Sequence, residues 1–435
     1  MRPETKGSSW RGVRWWICAL LFFATTINYV DRSVLSVLAP ELKKTIGWDD
    51  VQFGYINAAF PLAYALGFLV AGWLIDRFGT RAVYAVSLIL WSLAAAGHAF
   101  ARTATHFAIA RFCLGIGESG NFPSAIKATA EWFPRRERAL ATGIFNAGSN
   151  VGAVLAPALV PFLFARWGWQ SAFIATGLIG IIWVAFWLPL YRRPSEHPKL
   201  STKELAFIES DPVEPQVRVS WAKLLTYPQT WTFAVGKFLT DCIWWFYLFW
   251  FPTFMADTFG VDIRTIGPPM IAVYLMADVG SVSGGWFSSF LLKRGVSTNA
   301  ARKSAMLVCA LCVVPVSMAP FVQGKWTAVL LIGLATAAHQ GFSANLFTLA
   351  SDLFPKRAVG SVVGIGGFAG AIGGFFLLLA SGYIKKVTGS YGILFGIAAT
   401  VYLLALLAIH LLSPGLKPAA LEETEQQRVA APATL

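Results

Sequence analysis

Twelve apolar runs, each about as long as a bilayer is thick, constrain this chain more than any other feature. They fall at about 15–36, 50–73, 82–101, 105–126, 138–164 and 170–191, then at 229–257, 268–291, 304–321, 326–350, 359–383 and 391–413. A polar stretch from Arg192 to Thr226 separates the first six from the second six. A spanning helix needs about 20 apolar residues, so twelve would use roughly 240 positions. That matches a chain of 435 residues that is 56% hydrophobic. Only 13% of residues are charged, against about 25% in a soluble domain. Soluble enzyme, disordered chain, coiled coil and nucleic-acid binder are excluded at this step. The first run follows a basic tail but is too long for a signal core and lacks a small-x-small cleavage site, so it reads as a retained span.

The net charge of +13 reads as loop bias in a membrane protein rather than as a polyanion site. With the N-terminus inside, 24 of the 35 basic residues fall in inside segments, eight outside, and Arg32, Arg111 and Lys237 within spans. Three to one predicts that both termini are cytoplasmic. The expected organisation is a cytoplasmic tail 1–14, a six-helix bundle 15–191, a linker 192–228, a second bundle 229–413 and a tail 414–435 that reads as disordered from Leu416. Ser201-Thr202-Lys203-Glu204 marks a helix start within the linker. The five cysteines sit in apolar stretches with no second pair or histidine to complete a metal site, and no catalytic constellation is present, so neither metal, cofactor nor enzyme activity is expected.

The two halves repeat. Gly67-x4-Gly72-Trp73 recurs as Gly280-x4-Gly285-Trp286, at an offset of 213, and Glu131-Trp132-Phe133-Pro134 as Asp352-Leu353-Phe354-Pro355, at 221. Arg138-Ala139 matches Arg357-Ala358 in the same order. Two parallel repeats with a central site exposed alternately to either side are a transporter architecture.

Gly72-Trp73-Leu74-Ile75-Asp76-Arg77-Phe78-Gly79-Thr80-Arg81 resembles the G-x3-D-R-x-G-R-R signature of the major facilitator superfamily, and Arg111-x3-Gly115-x-Gly117 resembles its span-4 motif. The second-half copy of the loop motif is degenerate, with Ser289 in place of the acid. Asn28-Tyr29-Val30-Asp31-Arg32 and Arg111-x6-Glu118 resemble the anion:cation symporter family within it. The stretches Ala338–Phe347 and Leu239–Tyr247 are similar to those of bacterial hexuronate transporters. The resemblance implies the all-α, twelve-span major facilitator fold, a monomer in the cell inner membrane, and import of a sugar acid such as glucuronate or galacturonate by proton symport. An aldonate, aldarate or other organic-anion symporter remains the alternative.

A charge in the bilayer needs a partner or a water-filled cavity. Asp31 and Arg32 are adjacent on a helix and so point about 100° apart. Arg111 and Glu118 are two turns apart on one face. Two readings are open: static ion pairs joining spans 1 and 4, or arginines that clamp a substrate carboxylate while acids carry protons. A guanidinium fork matches a carboxylate, and a carboxylate drawn out of water holds a proton more readily. The family resemblance implies Arg32 on the substrate and Asp31, Arg111 and Glu118 in proton coupling.

Tyr29, Tyr64, Ser149, Asn150, Trp245, His339, Gln340 and Asn345 are the further candidate substrate contacts, since a polyhydroxylated ligand needs many donors and acceptors. For each polar residue, interhelical hydrogen bonding is the competing role, and for Trp245 a lipid or packing role; the 221-residue offset sets His339 opposite Glu118. Lys237 and Asp241 are an i, i+4 pair, either self-neutralised or a second anchor or gate. Gly72, Asp76, Arg77, Gly79 and Arg81 are expected to latch the cytoplasmic side.

Overall fold

In a computed structural model, residues 12–210 and 220–421 are described. Most of the expected tails (1–11 and 422–435) and the linker positions 211–219 therefore lie outside the described residues. The first half contains α1 (Val13–Ile46), α2 (Asp50–Phe78), α3 (Thr80–Gly97), α4 (Ala104–Glu118), α5 (Asn121–Trp132), α6 (Arg135–Trp167) and α7 (Trp169–Leu190). Two short linker helices follow, α8 (Thr202–Ile208) and α9 (Trp221–Leu224). The second half contains α10 (Pro228–Phe259), α11 (Gly267–Lys293), α12 (Thr298–Val313), α13 (Lys325–Leu353), α14 (Lys356–Thr388) and α15 (Gly392–Leu412).

Ten helices among the described residues are long and apolar enough to cross a membrane. The two remaining expected spans, at 105–126 and 229–257, fall short for different reasons. The run expected at 105–126 is interrupted after Glu118. Pro123 has no N–H to offer the Ser119 carbonyl, and its ring crowds that group, so the helix breaks there and restarts at Asn121. The other, α10, is a continuous 32-residue helix whose apolar character is diluted by Lys237 and Asp241.

Local signals explain the ends. Asp49 caps α2 by accepting from Gln52 N at 2.8 Å, and the Gln52 side chain returns the bond to Asp49 N at 3.0 Å. Gly79 closes the α2–α3 turn at φ +82°, a conformation that favours glycine. Ser201 caps α8 through Glu204 N at 3.2 Å, at the expected start. Within that helix, the Glu204 carboxylate accepts from Arg14 Nη1 at 2.9 Å and from Val13 N at 3.3 Å, which ties the linker to the first turn of α1.

The halves meet along α2 and α14, α1 and α10, and α6 and α11. Their closest approach is at the end that carries the α1–α2 loop. There Lys386 Nζ lies 2.9 Å from Asp49 Oδ2, the Tyr55 and Tyr383 hydroxyls share a hydrogen bond, and the Phe53 and Trp250 rings are 4.9 Å apart. At the opposite end the described ion pairs stay within a half: Arg14–Glu137, Lys127–Asp76 and Arg302–Asp352. The two halves are thus clamped at one end. Small residues permit this approach, since a Cβ at Gly382 would fall 2.5 Å from the Asp50 carbonyl and one at Gly54 would fall 3.0 Å from the Leu378 carbonyl. Overpacking of this kind costs about 1–3 kcal/mol. Gly382→Val is therefore expected to slow transport about tenfold or more in vesicles, at unchanged expression; wild-type rates would show that this crossing does not form during the cycle.

Candidate substrate site

Tyr29, Arg32, Tyr64 and Trp245 converge midway along the interface between the halves. Arg32 donates from Nη2 and Nε to Glu118 Oε2, at 2.8 and 3.0 Å, and from Nη2 to Asn28 Oδ1 at 3.1 Å. The guanidinium carbon lies 4.7 Å from the Tyr29 ring centre, 5.1 Å from Phe60, and 5.4 Å from both Tyr64 and Trp245. Three of those rings come from the first half and Trp245 from the second. A cation is favourable over aromatic faces, and the box holds the guanidinium in one place without using up its donors.

The pairing differs in detail from the spacing argument. Glu118 bonds Arg32 rather than Arg111, because the guanidinium of α1 reaches across to it. Arg111 instead donates Nη1 to the Arg32 backbone carbonyl at 3.0 Å and lies over Phe249 at 4.6 Å. Its Nε and Nη2 have no described partner, although the residue is fully buried. Glu118 Oε1 and Asn28 Nδ2, on neighbouring side chains, are likewise buried with no other partner among the described residues. Buried polar atoms are nearly always satisfied, so such a concentration marks a place built for something else to complete.

Asp31 points away, as the 100° offset requires. It is buried beside the polar side-chain atoms of Trp91 on α3 and Thr176 on α7, with no ion-pair partner among the described residues. In charge terms, the side of the first half that meets the second presents Arg32, Arg111 and Glu118. One positive charge is left over, and that suits an anion.

The other candidate contacts divide. On α6, Asn146 and Asn150 lie eleven and seven residues before Pro157, hence within about 20° of it around the helix. A Cβ at Gly267 of α11 would sit 3.0 Å from the Pro157 carbonyl, so this face looks at the second half. Both asparagines are nevertheless exposed, which marks a cleft between the halves below that contact. Ser149 is turned inward and donates to the Asn146 carbonyl at 2.6 Å. Gln340 is half-buried.

His339 belongs to the interior of the second bundle. Its Nδ1 is 2.7 Å from the Tyr402 hydroxyl, and its ring stacks on Trp244 at 5.2 Å. Asn345 donates Nδ2 to the carbonyls of Gly341 at 2.9 Å and Gly284 at 3.0 Å, which makes it a clasp between α13 and α11. His339 Nδ1 and Asn345 Nδ2 are thus engaged by the helices around them, the competing role weighed for both, while Asn345 Oδ1 is buried with no described partner. Lys237 Nζ sits 2.6 Å from Asp241 Oδ2 and 4.3 Å from the Phe347 ring centre.

Among the described residues, the charged side chains of the loop motif have partners in the first half. Asp76 pairs with Lys127 at 3.3 Å, Arg81 Nε donates to the Leu188 carbonyl at 3.1 Å, and Arg77 lies over Trp73 and Phe78. A Cβ at Gly72 or Gly79 would meet nothing within 4 Å. A cavity of about 550 Å³ flanked by Phe23, Leu155 and Ile179 is apolar and lies across α1, α6 and α7, where its chemistry fits lipid tails rather than a sugar. The residues that the motif reading passed over are Phe60, Phe249, Trp91 and Thr176. As apolar or singly polar residues in apolar runs, they carry no signal of their own.

Two like helical halves with buried, unsatisfied charge between them define a multi-pass membrane transporter, not an enzyme. The chain belongs to the Major Facilitator Superfamily, whose family model matches residues 21–378. It is 31% identical over 406 residues to the hexuronate transporter of Escherichia coli (strain K12), covering 92% of this chain and 94% of that protein. It is 32% identical over 433 residues to a Bacillus subtilis (strain 168) protein named "Probable galactarate/D-glucarate transporter", covering 95% of each. In fold it matches a bacterial homologue of the human lysosomal transporter Spinster, with a TM-score of 0.75 at 19% identity, over 95% of this chain and all of that one.

Proposed function

We propose that this protein imports a hexuronate such as glucuronate or galacturonate by proton symport. It does so as a twelve-span monomer of the inner membrane with both termini cytoplasmic and with the two bundles joined by the linker 192–228. The ten apolar helices, together with α10 and the broken pair α4–α5, supply the twelve spans. The observation that carries the functional reading is the Arg32–Glu118 pair in its aromatic box between the halves.

The pair works as an exchange of carboxylates. While Glu118 is ionised it occupies Arg32. A proton arriving at Glu118 from the outer side releases the guanidinium, and the substrate carboxylate takes its place as a charge-assisted partner. Arg111, with two free donors beside it, completes the anion's environment. Tyr29, Tyr64, Asn150 and Gln340 are the candidate partners for the hydroxyls. Once the cleft opens inward, loss of the proton restores the Glu118–Arg32 pair and expels the substrate.

A monoanion carried with one proton moves no net charge. With two protons it gains about 2.3 kcal/mol per 100 mV, roughly fiftyfold in accumulation. Asp31 is the candidate second carrier.

The 32% identity with a galactarate/D-glucarate transporter supports an aldarate or aldonate symporter as the second reading. A competition panel separates the two. Unlabelled glucuronate and galacturonate are expected to displace labelled galacturonate from vesicle uptake at least about tenfold more effectively than galactonate or galactarate. Equal or reversed potency would transfer the assignment.

A further inference from the structure

The second half presents a face of opposite sign to the first, and this inference rests on the sugar-acid reading above. Asp278 lies eleven residues after Gly267 on α11. That is three turns to within about 20°, so it shares the face of α11 that meets α6 of the first half. One turn above it, Tyr274 shares that side and neighbours Tyr29 of the cationic box. Asp278 is half-buried and has no described hydrogen-bond or ion-pair partner. By the same helical rise, it is level with Asn146, which faces it from α6 and lies eleven residues below the Pro157–Gly267 contact.

On α10, Asp241 is one turn, about 6 Å, below Trp245 of the box. Its ion pair with Lys237 is lopsided: the Asp241 side chain is 18% exposed and that of Lys237 only 6%, so the carboxylate is the more accessible partner, although its Oδ2 also packs against Gly370 of α14. A ligand held by Arg32, with Arg111's free buried donors alongside, therefore extends its far end past two acids.

We propose that Asp278, assisted by Asp241, is a specificity-determining wall. It accepts hydroxyl donors from the uncharged end of a monocarboxylate sugar acid and repels the second carboxylate of an aldarate. The transporter thus admits hexuronates and rejects six-carbon diacids. Two like charges about one helical turn apart, at an effective dielectric near 20, oppose binding by of order ten- to a hundredfold.

The test is uptake of labelled galacturonate and labelled galactarate by the purified full-length protein in vesicles, read as a ratio so that differences in expression cancel. Wild type is expected to prefer galacturonate at least about tenfold. Asp278→Asn is expected to shift the ratio at least about tenfold towards galactarate. Asp278→Ser is expected to do the same, and Asp278→Glu, which keeps the charge, to retain the wild-type ratio. A purely structural aspartate would lower both uptakes together. A wild type that takes both acids equally, or neutral variants with an unchanged ratio, would overturn the proposal. Uptake of neither acid by the wild type would overturn the sugar-acid reading and this inference with it.

Discussion

Arg32→Lys is expected to abolish sugar-acid uptake while leaving the protein in the membrane at its normal level. Lysine keeps the charge but not the planar fork, and a compact ammonium cannot satisfy Glu118 and Asn28 while offering the substrate a matched pair of donors. In the structure, Arg32 makes three hydrogen bonds and sits within 5.4 Å of four ring centres. Loss of one or two charge-assisted bonds, at about 1.5–3 kcal/mol each, weakens binding by roughly ten- to ten-thousandfold or more. The largest effect expected anywhere in the chain is here, and substrate-dependent thermal stabilisation of the purified protein measures it. A lysine variant that retains wild-type affinity would remove Arg32 from the site.

The second large effect is of a different kind. Glu118→Gln is expected to leave substrate exchange across the membrane intact and to eliminate accumulation against a gradient. Glutamine imitates the neutral acid, so Arg32 stays available to the substrate on both sides and no proton is needed to free it. Exchange requires only that the loaded carrier reorient, whereas accumulation requires the proton to be released inside. Counterflow and pH-driven uptake in the same vesicles separate these quantities. If the glutamine variant still accumulates substrate, the coupling proton resides elsewhere, and Asp31, buried between α1, α3 and α7 without a counter-ion among the described residues, becomes the candidate.

Much of this site is legible in the sequence because charge in an apolar run is conspicuous. Arg32, Arg111, Glu118 and Asp31 stand out in their spans, and the divergence of Asp31 from Arg32 follows from helical geometry alone. The helix start at Ser201 and the repeated halves are legible for similar reasons: capping chemistry and spacing are local. What is not legible depends on how separate helices meet. That Glu118 chooses Arg32 over Arg111 depends on the reach of a side chain from α1, which no spacing within α4 encodes. Phe60 and Phe249 stack on the guanidinia, yet in sequence they are two phenylalanines among 34. Asn345 reads as a ligand contact because a polar residue in a span invites that role; only the positions of Gly284 and Gly341 reveal it as a clasp. The break before Pro123 was written in the proline, but the apolar run continues across it and masks the signal.

The clamped end follows the same rule. Asp49 and Lys386 are 337 positions apart, and each is an ordinary loop charge until the halves are brought together.

The most direct measurement is uptake of radiolabelled galacturonate and glucuronate into vesicles containing the purified protein, under an imposed inward proton gradient, with and without an ionophore that collapses it. Accumulation above equilibrium that disappears with the ionophore is the predicted result, since it requires one site to hold both the acid and the proton. Uptake that merely equilibrates, unaffected by the ionophore, would contradict the account, leaving Glu118 as a structural partner of Arg32 and the protein as a facilitator.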